Sequence, residues 1–233
     1  MILAKDEGFA SGLGLEVQIR TKLVRFWSYI KNVSIRIGMD ILEIEGNSNP
    51  EDTNNRYWFN WEYQGELETI GGFQVTVTQP GNQRRRFEID LSPKYPGQKI
   101  VIGYFKEFLN VDFVNGSEES FGNTVGLLGD FKTGQALARD GSTIIDDFYD
   151  YGQEWQVLPS DGTLFHEFEY PQFPEMCVVP EDPRGERQRR LGESVVSEEQ
   201  AAAACADVMD PLDRKDCIYD VLATEDVEMI GAY

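Results

Sequence analysis

The sequence contains little of what most enzyme sites need. It has one histidine, His166, and three cysteines in 233 residues. A Ser-His-Asp site would depend on His166 alone, and no cysteine or histidine pair has the spacing of a zinc site. A lone histidine between Phe165 and Glu167 is most often a packed or solvated residue. The sequence also lacks a Gly-x-Ser-x-Gly motif and a phosphate-binding glycine loop. We therefore predict a protein that is not an enzyme.

Positive charge and long apolar runs are also scarce. The chain has 21 Lys and Arg against 41 Asp and Glu, a formal net charge of −20 at pH 7. Polyphosphate binding needs cations on the protein, so nucleic acid is not expected as a partner, and cations and basic proteins are favoured. No stretch approaches the roughly 18–20 apolar residues that span a bilayer, and residues 1–7 do not form a signal-peptide core. No membrane insertion is expected.

The first half of the sequence has the pattern of short strands and turns that is typical of an all-β protein. Leu15, Val17 and Ile19 alternate with polar residues, which predicts a half-buried strand. Residues 26–37 continue the alternation, and Gly38-Met39-Asp40 turns the chain into residues 41–45, which predicts a hairpin. Further strands are predicted at 57–61, 73–78, 85–91, 99–104 and 109–114. Short strands without intervening helices predict a mainly β fold, an antiparallel β-sandwich.

Composition changes near Leu158 and divides the chain into three predicted parts. Residues 1–158 form the sandwich, 159–194 a Pro/Arg-rich extended linker, and 195–233 a small C-terminal helical segment. Ser197 with Gln200 is a capping box, and Asp210-Pro211 ends one helix and begins the next. Thr224 is predicted to cap a last short helix.

The cysteines allow a specific pairing. Cys205 and Cys217 lie on the apolar stripes of two consecutive predicted helices, so an antiparallel helix pair would bring them together as a disulfide. The alternative is two buried free thiols. Cys177 has no evident partner in this chain, and in an oxidising compartment its partner would lie outside it.

Three short motifs are typical of secreted proteins. Asn32-Val33-Ser34 and Asn115-Gly116-Ser117 are N-glycosylation triplets, and Asn115 is the better candidate because Asn-Gly is a turn. Arg187, Arg189 and Arg190 match the R-x-R-R pattern of furin-type convertases. The alternative for that basic run is an ordinary solvated segment.

Residues 57–63 form the densest aromatic stretch, Tyr-Trp-Phe-Asn-Trp-Glu-Tyr. Exposed rings of this kind stack on sugars or on a partner protein, whereas rings on alternate faces fill a sandwich core. The first possibility gives an alternative function, an acidic sandwich that binds or hydrolyses glycans through the 57–63 aromatic stretch and a carboxylate pair.

The stretch Gly126–Val157 opens on a Gly-Leu-Leu-Gly turn and closes on a strand-like Glu-Trp-Gln-Val. Between these ends several aspartates lie among glycines: Asp130, Asp140, Asp146, Asp147 and Asp150. Carboxylates on such a loop can converge on a hard cation such as Ca2+, which takes 6–8 oxygen ligands. The alternative is a solvated acidic loop.

Gly12–Arg20, Gly126–Phe131, Asp146–Phe148 and Gly152–Trp155 resemble, in this order, the von Willebrand factor type D domain. The resemblance implies an extracellular β-sandwich of adhesive or matrix proteins. Its partners would be other extracellular or matrix proteins, or other domains of a larger parent chain. It also implies Ca2+ in the loop 130–147, with Asp130, Asp146 and Asp147 as ligands.

Three features depart from that family, and the first is an apparent insertion in the acidic loop at residues 135–143. Lys132 replaces a second Asn or Asp of the calcium loop, and the family's opening strand has no counterpart before Met1-Ile2-Leu3. We therefore expect the chain to begin inside the domain and the calcium site to be weak or incomplete. A purely structural acidic spacer is a third reading of the chain.

Overall fold

The computed structural model describes residues 1–24, 27–47, 49, 56–81, 83–167 and 196–233. The chain forms two compact units, Met1–Thr21 with Ile30–Tyr170 and Lys22–Tyr29 with Pro171–Tyr233. Most of the predicted linker 159–194 lies outside the described residues. So do Cys177 and the three convertase-site arginines Arg187, Arg189 and Arg190, and these predictions stay open.

Eleven strands and a few short helices make up the described part of the chain. The strands are β1 (Ile2–Asp6), β2 (Leu15–Val24), β3 (Trp27–Ile37), β4 (Asp40–Glu45), β5 (Tyr57–Phe59), β6 (Glu62–Tyr63), β7 (Thr69–Ile70), β8 (Phe73–Gly81), β9 (Arg84–Asp90), β10 (Lys99–Phe105) and β11 (Phe108–Val114). The helices are α1 (Phe9–Gly12), α2 (Glu118–Phe121), α3 (Phe148–Glu154), α4 (Glu198–Ala204) and α5 (Pro211–Thr224), followed by a 3-10 helix (Val227–Ala232). The prediction of a mainly β fold with a small C-terminal helical segment is confirmed.

The strands form one antiparallel sheet in the order β6-β5-β4-β3-β11-β10-β9-β8-β7, and β1 and β2 extend it from β3. Strand β3 is the branch point of this sheet. Its later half pairs with β4 from Asn32↔Glu45 to Ile37↔Asp40, whereas Ile30 pairs with Leu109 of β11. The predicted hairpin of β3 and β4 is therefore present, and it turns at Gly38, whose φ is +64°.

The hydrophobic core takes the alternate residues that the period of two predicts. Five strands supply most of its fully buried members: Val17, Val33, Ile35, Ile37, Leu42, Ile44, Phe87, Ile89, Ile100 and Ile102. Phe9 of α1 and Phe121 of α2 add aromatic rings to the same cluster, with centroids 6.0 Å apart. Removing this apolar surface from water is the main force that closes the sheet.

The prediction that these strands are buried on one face only is wrong, because the opposite face of β2, β3 and β4 is buried as well. Glu16, Gln18, Ser34 and Glu43 lie on that face, and all four side chains are buried. Alternation of polar and apolar residues usually marks one solvated face. Here residues 162–167, from later in the chain, cover the polar face instead.

Two local predictions are wrong, and one strand lies where none is predicted. Residues 154–157 are not a strand, because Asp147 caps α3 and Trp155 follows the end of that helix. The strand without a prediction is Ile2–Asp6, which pairs with β2. Asp226, not Thr224, caps the last short helix, which is of the 3-10 type.

The helical unit contains the predicted cap and the predicted disulfide. The Ser197 side chain accepts from the main-chain N–H of Gln200, and the Gln200 side chain accepts from the main-chain N–H of Ser197. Cys205 and Cys217 are fully buried and form a disulfide with their Cα atoms 6.0 Å apart. Among the described helices, none has the length and hydrophobicity that a membrane crossing requires.

Candidate functional site

The stretch Gly126–Val157 is anchored to β1 by main-chain hydrogen bonds. Ile2 donates to the Trp155 carbonyl at 2.8 Å and Leu127 donates to the Ile2 carbonyl at 3.1 Å. The Trp155 ring is buried against Ile2 and Tyr151 in a small second cluster. The acidic stretch is therefore a packed part of the sandwich unit and not a loose loop.

Gly126 lies where β1 and the stretch come closest. Its φ is +144°, and a Cβ atom at this position would lie 2.4 Å from the carbonyl oxygen of Leu3. The Gly126 carbonyl also accepts a hydrogen bond of 2.7 Å from the Tyr151 hydroxyl. A glycine is needed here for both space and backbone conformation.

Arg139 ties the middle of the stretch to its C-terminal end and to Asp161. Its guanidinium donates two bonds of 3.0 Å to the carboxylate of Asp161 and one each to the carbonyls of Glu154 and Gln156, at 2.8 and 2.5 Å. It also lies over the Trp155 ring, 5.3 Å from its centroid. Sequence reasoning missed this residue because a single arginine carries no spacing signal.

The aspartates of the stretch stabilise their own turns. Asp130 accepts from the N–H and the hydroxyl of Thr133, and these bonds hold the pKa of Asp130 below its ordinary value. The hydroxyl and N–H of Thr143, with the N–H of Ser142, lower the pKa of Asp140 in the same way. Asp147 caps α3 by accepting from Tyr149 and Asp150.

The structure does not gather Asp130, Asp146 and Asp147 into one ligand set. Within the described residues, no group of three or more Asp, Glu, His or Cys side chains is arranged to hold a metal ion. A cavity of about 220 Å3 lies beside Gly126 and Trp155, and of the three aspartates only Asp130 lines it. Lys132, at the position of the family's second acidic ligand, pairs with Glu118 at 2.7 Å. Calcium binding stays a prediction of the resemblance.

The aromatic stretch 57–63 divides its rings between two faces. Tyr57 and Phe59 pack against the core, whereas Trp58 pairs across the hairpin with Tyr63, with ring centroids 5.3 Å apart. Asn60 and Trp61 form the two-residue turn with φ values of +49° and +67°. Trp61 and Tyr63 are at least half exposed. The rings of Tyr57 and Phe59 therefore help to fill the core, whereas stacking of the exposed rings on a sugar or a partner protein stays a prediction.

Residues 162–167, which we call the covering segment, lie over the polar face of β2–β4. The Gln18 side chain makes two hydrogen bonds to the main chain of this segment. It donates to the Gly162 carbonyl at 2.9 Å and accepts from the Leu164 N–H at 3.0 Å. Ser34 donates to the Leu164 carbonyl at 3.0 Å. The polar side chains are buried because they satisfy main-chain groups of this segment.

His166 lies at the end of the covering segment, in contact with Glu43 and Trp58. Glu43 Oε2 accepts from the His166 main-chain N–H at 2.8 Å and contacts Nδ1 at 3.0 Å. The imidazole stacks on the Trp58 ring, with centroids 4.0 Å apart and planes 15° apart. Sequence reasoning treated His166 as a packed or solvated residue and missed Glu43, because 123 residues separate the two.

The two glycosylation candidates lie in different surroundings. Asn115 is exposed in a turn and donates to the Gly97 carbonyl at 3.0 Å. The Asn32 side chain is only 4% exposed. The fold leaves room for a glycan on Asn115 but not on Asn32, and glycosylation itself stays a prediction.

Comparison of the sequence with protein-family models and with curated proteins gives no match. The relation to the von Willebrand type D family therefore stays a hypothesis, which depends on the motifs between Gly126 and Trp155.

Proposed function

We propose that the chain is a non-enzymatic protein-interaction module of the von Willebrand type D kind, which presents the stretch Gly126–Val157 and the adjoining Leu158 to basic extracellular proteins. The antiparallel sandwich and the close packing of the Gly126 turn on Trp155 support this function. The buried Cys205–Cys217 disulfide supports an extracellular location, since disulfides persist in oxidising compartments.

The exposure of large apolar side chains in this stretch carries the proposal. Phe148 is 84% exposed, and five further apolar side chains between Leu128 and Leu158 are exposed: Leu128, Phe131, Ile144, Tyr149 and Leu158. Single exposed apolar residues are normal on a protein surface, but such a concentration on a hydrogen-bonded frame is typical of contact surfaces. The anchoring on β1 and the Arg139 bonds supply that frame.

Charge indicates the kind of partner. Asp146, Asp147 and Asp150 lie within two residues of Phe148 in the chain, and the chain as a whole carries a formal net charge of −20. An acidic surface around an apolar centre fits a partner with basic residues around apolar ones, because complementary charges speed and orient association. No step of this function depends on calcium.

Replacing Phe148 with serine is expected to weaken binding of a basic amphipathic Lys/Leu peptide about tenfold or more, because an exposed aromatic anchor is lost. Titration calorimetry in 150 mM salt measures the affinity. Met39→Ser is the matched control, because Met39 is 92% exposed on the β3–β4 hairpin, outside the stretch. Equal affinities for the F148S variant and the wild-type chain, or no binding by either, would contradict the proposal.

A second function, glycan binding, is favoured by the outward rings of Trp61 and Tyr63. Two adjacent exposed aromatic side chains form a platform for the apolar face of a sugar. We expect Trp61→Ala to abolish the signals of the wild-type chain on a glycan array, while Phe148→Ser keeps them. Identical array profiles for W61A and the wild-type chain would count against this function.

A further inference from the structure

His166 is the only histidine of the chain, and a buried carboxylate fixes its ring. Glu43 is 1% exposed, and Oε2 accepts the His166 main-chain N–H, so this oxygen acts as an acceptor. Nδ1, at 3.0 Å from the same oxygen, must then carry its proton toward Glu43. In the neutral imidazole this leaves the lone pair on Nε2. Stacking on Trp58 holds the ring plane in place.

A second possible ligand lies near this lone pair. Nε2 lies 3.8 Å from Oε1 of Glu167, whose side chain is exposed. A zinc ion bonded to an imidazole nitrogen and a carboxylate oxygen at about 2.0–2.2 Å keeps these two atoms about 3.4 Å apart in a tetrahedral site. The observed separation is slightly longer, and a small rotation of the exposed Glu167 side chain closes the difference.

The buried carboxylate gives an independent reason for positive charge at this point. Oε1 of Glu43 is buried and has no hydrogen-bond partner among the described residues. A buried carboxylate with one unsatisfied oxygen is costly unless nearby positive charge compensates it. A cation on Nε2 would supply that charge through the imidazole. A carboxylate behind a histidine also orients the ring and raises its basicity as a ligand.

We propose that Nε2 of His166 and the carboxylate of Glu167 bind a borderline divalent metal ion such as Zn2+ or Cu2+, with Glu43 as the positioning residue behind the histidine. Water completes the coordination, because the described part of the chain offers two protein ligands here. Imidazole nitrogen selects Zn2+ and Cu2+ over the hard ions Ca2+ and Mg2+. This site is separate from the calcium loop and from the stretch of the first proposed function, and it adjoins the aromatic hairpin of the second through Trp58.

The position of Trp58 provides a direct measurement. Its ring lies 4.0 Å from the His166 ring, so Cu2+ bound at Nε2 is expected to quench the Trp58 fluorescence. The experiment uses the untagged full chain, because a polyhistidine tag would compete, in 150 mM salt with 1 mM Mg2+ to occupy the acidic surface. We expect saturable quenching that a large excess of Ca2+ does not reverse. Trp58→Phe should remove most of the quenching while calorimetry still detects binding.

Variants separate this site from non-specific binding to an acidic protein. We expect His166→Gln to abolish saturable binding, Glu167→Gln to weaken it about tenfold, and Glu43→Gln to weaken it roughly 10–100-fold, the usual loss when a carboxylate behind a ligating histidine is removed. Glu7→Gln, a change at another exposed carboxylate, should have no effect. E167Q alters no buried group, so it tests the site even if the E43Q variant folds poorly. Unchanged affinity in H166Q, or equal losses in E167Q and E7Q, would overturn the proposal.

Discussion

Replacing Arg139 with alanine is expected to lower the free energy of unfolding by about 3 to 4 kcal/mol, the range for breaking a buried ion pair from one side. The Asp161 carboxylate is largely buried and would lose both of its bonds from the guanidinium. The carbonyls of Glu154 and Gln156 would lose their donor as well. Trp155 would remain in place but lose the cation over its ring.

Chemical denaturation, followed by near-UV circular dichroism, measures this effect. Arg86→Ala is the matched control, since Arg86 pairs with Glu88 at 2.7 Å on an exposed sheet surface. Exposed ion pairs contribute about 0–1 kcal/mol, so this control should be nearly neutral. If Arg139→Ala cost no more than Arg86→Ala, the guanidinium would not be what holds the middle of the stretch to its C-terminal end.

Much of the sheet could be predicted from the sequence because the information is local. Alternation over residues 15–20 and 32–37, and the turn at Gly38, depend only on neighbours in the chain, and the structure has strands and a hairpin at these places. The disulfide was predictable for the same reason, since Cys205 and Cys217 lie on consecutive helices. The capping signals at Ser197 and Pro211 are equally local.

The polar site could not be predicted because its contacts are not local. Period-two alternation places Glu16, Gln18 and Glu43 on one face but does not say what covers that face. The covering segment lies more than 100 residues later, and it contacts these side chains through main-chain groups, which any sequence would supply. His166 is noticeable in the sequence because it is the sole histidine, but no sequence pattern connects it to Glu43.

The wrong prediction of a strand at residues 154–157 could have been avoided, because the sequence contains a helix cap just before them. Asp147 precedes Phe148-Tyr149-Asp150, and an aspartate that accepts from the N–H groups two and three residues later is a strong helix cap. Reading residues 154–157 as a strand gave too much weight to Trp155 and Val157 and too little to that cap. The burial of Trp155 was a separate property, which the Gly126 turn and β1 determine.

Replacing Gly126 with alanine is expected to cost about 4 kcal/mol, from overpacking of 1–3 kcal/mol and a disfavoured backbone conformation of similar size. The added methyl group would approach the Leu3 carbonyl to 2.4 Å, and backbone atoms of β1 cannot move aside as a flexible side chain could. Relief of the clash would pull Leu127 away from Ile2 and stretch the Tyr151 hydroxyl bond.

Gly141→Ala is the control for a methyl group added at a positive-φ glycine where it meets no clash. Gly141 has a φ of +70°, but a Cβ atom there would meet nothing within 4 Å. It should therefore cost only the conformational part, about 1 kcal/mol, and the two variants can be compared by thermal and chemical unfolding. A loss as small at Gly126 as at Gly141 would mean that β1 does not pack on the stretch as described. A much larger loss at Gly126 would mean that the contact with β1 requires a glycine at this position. That physical reason for the Gly-Leu-Leu-Gly turn does not depend on a relationship to the von Willebrand type D family.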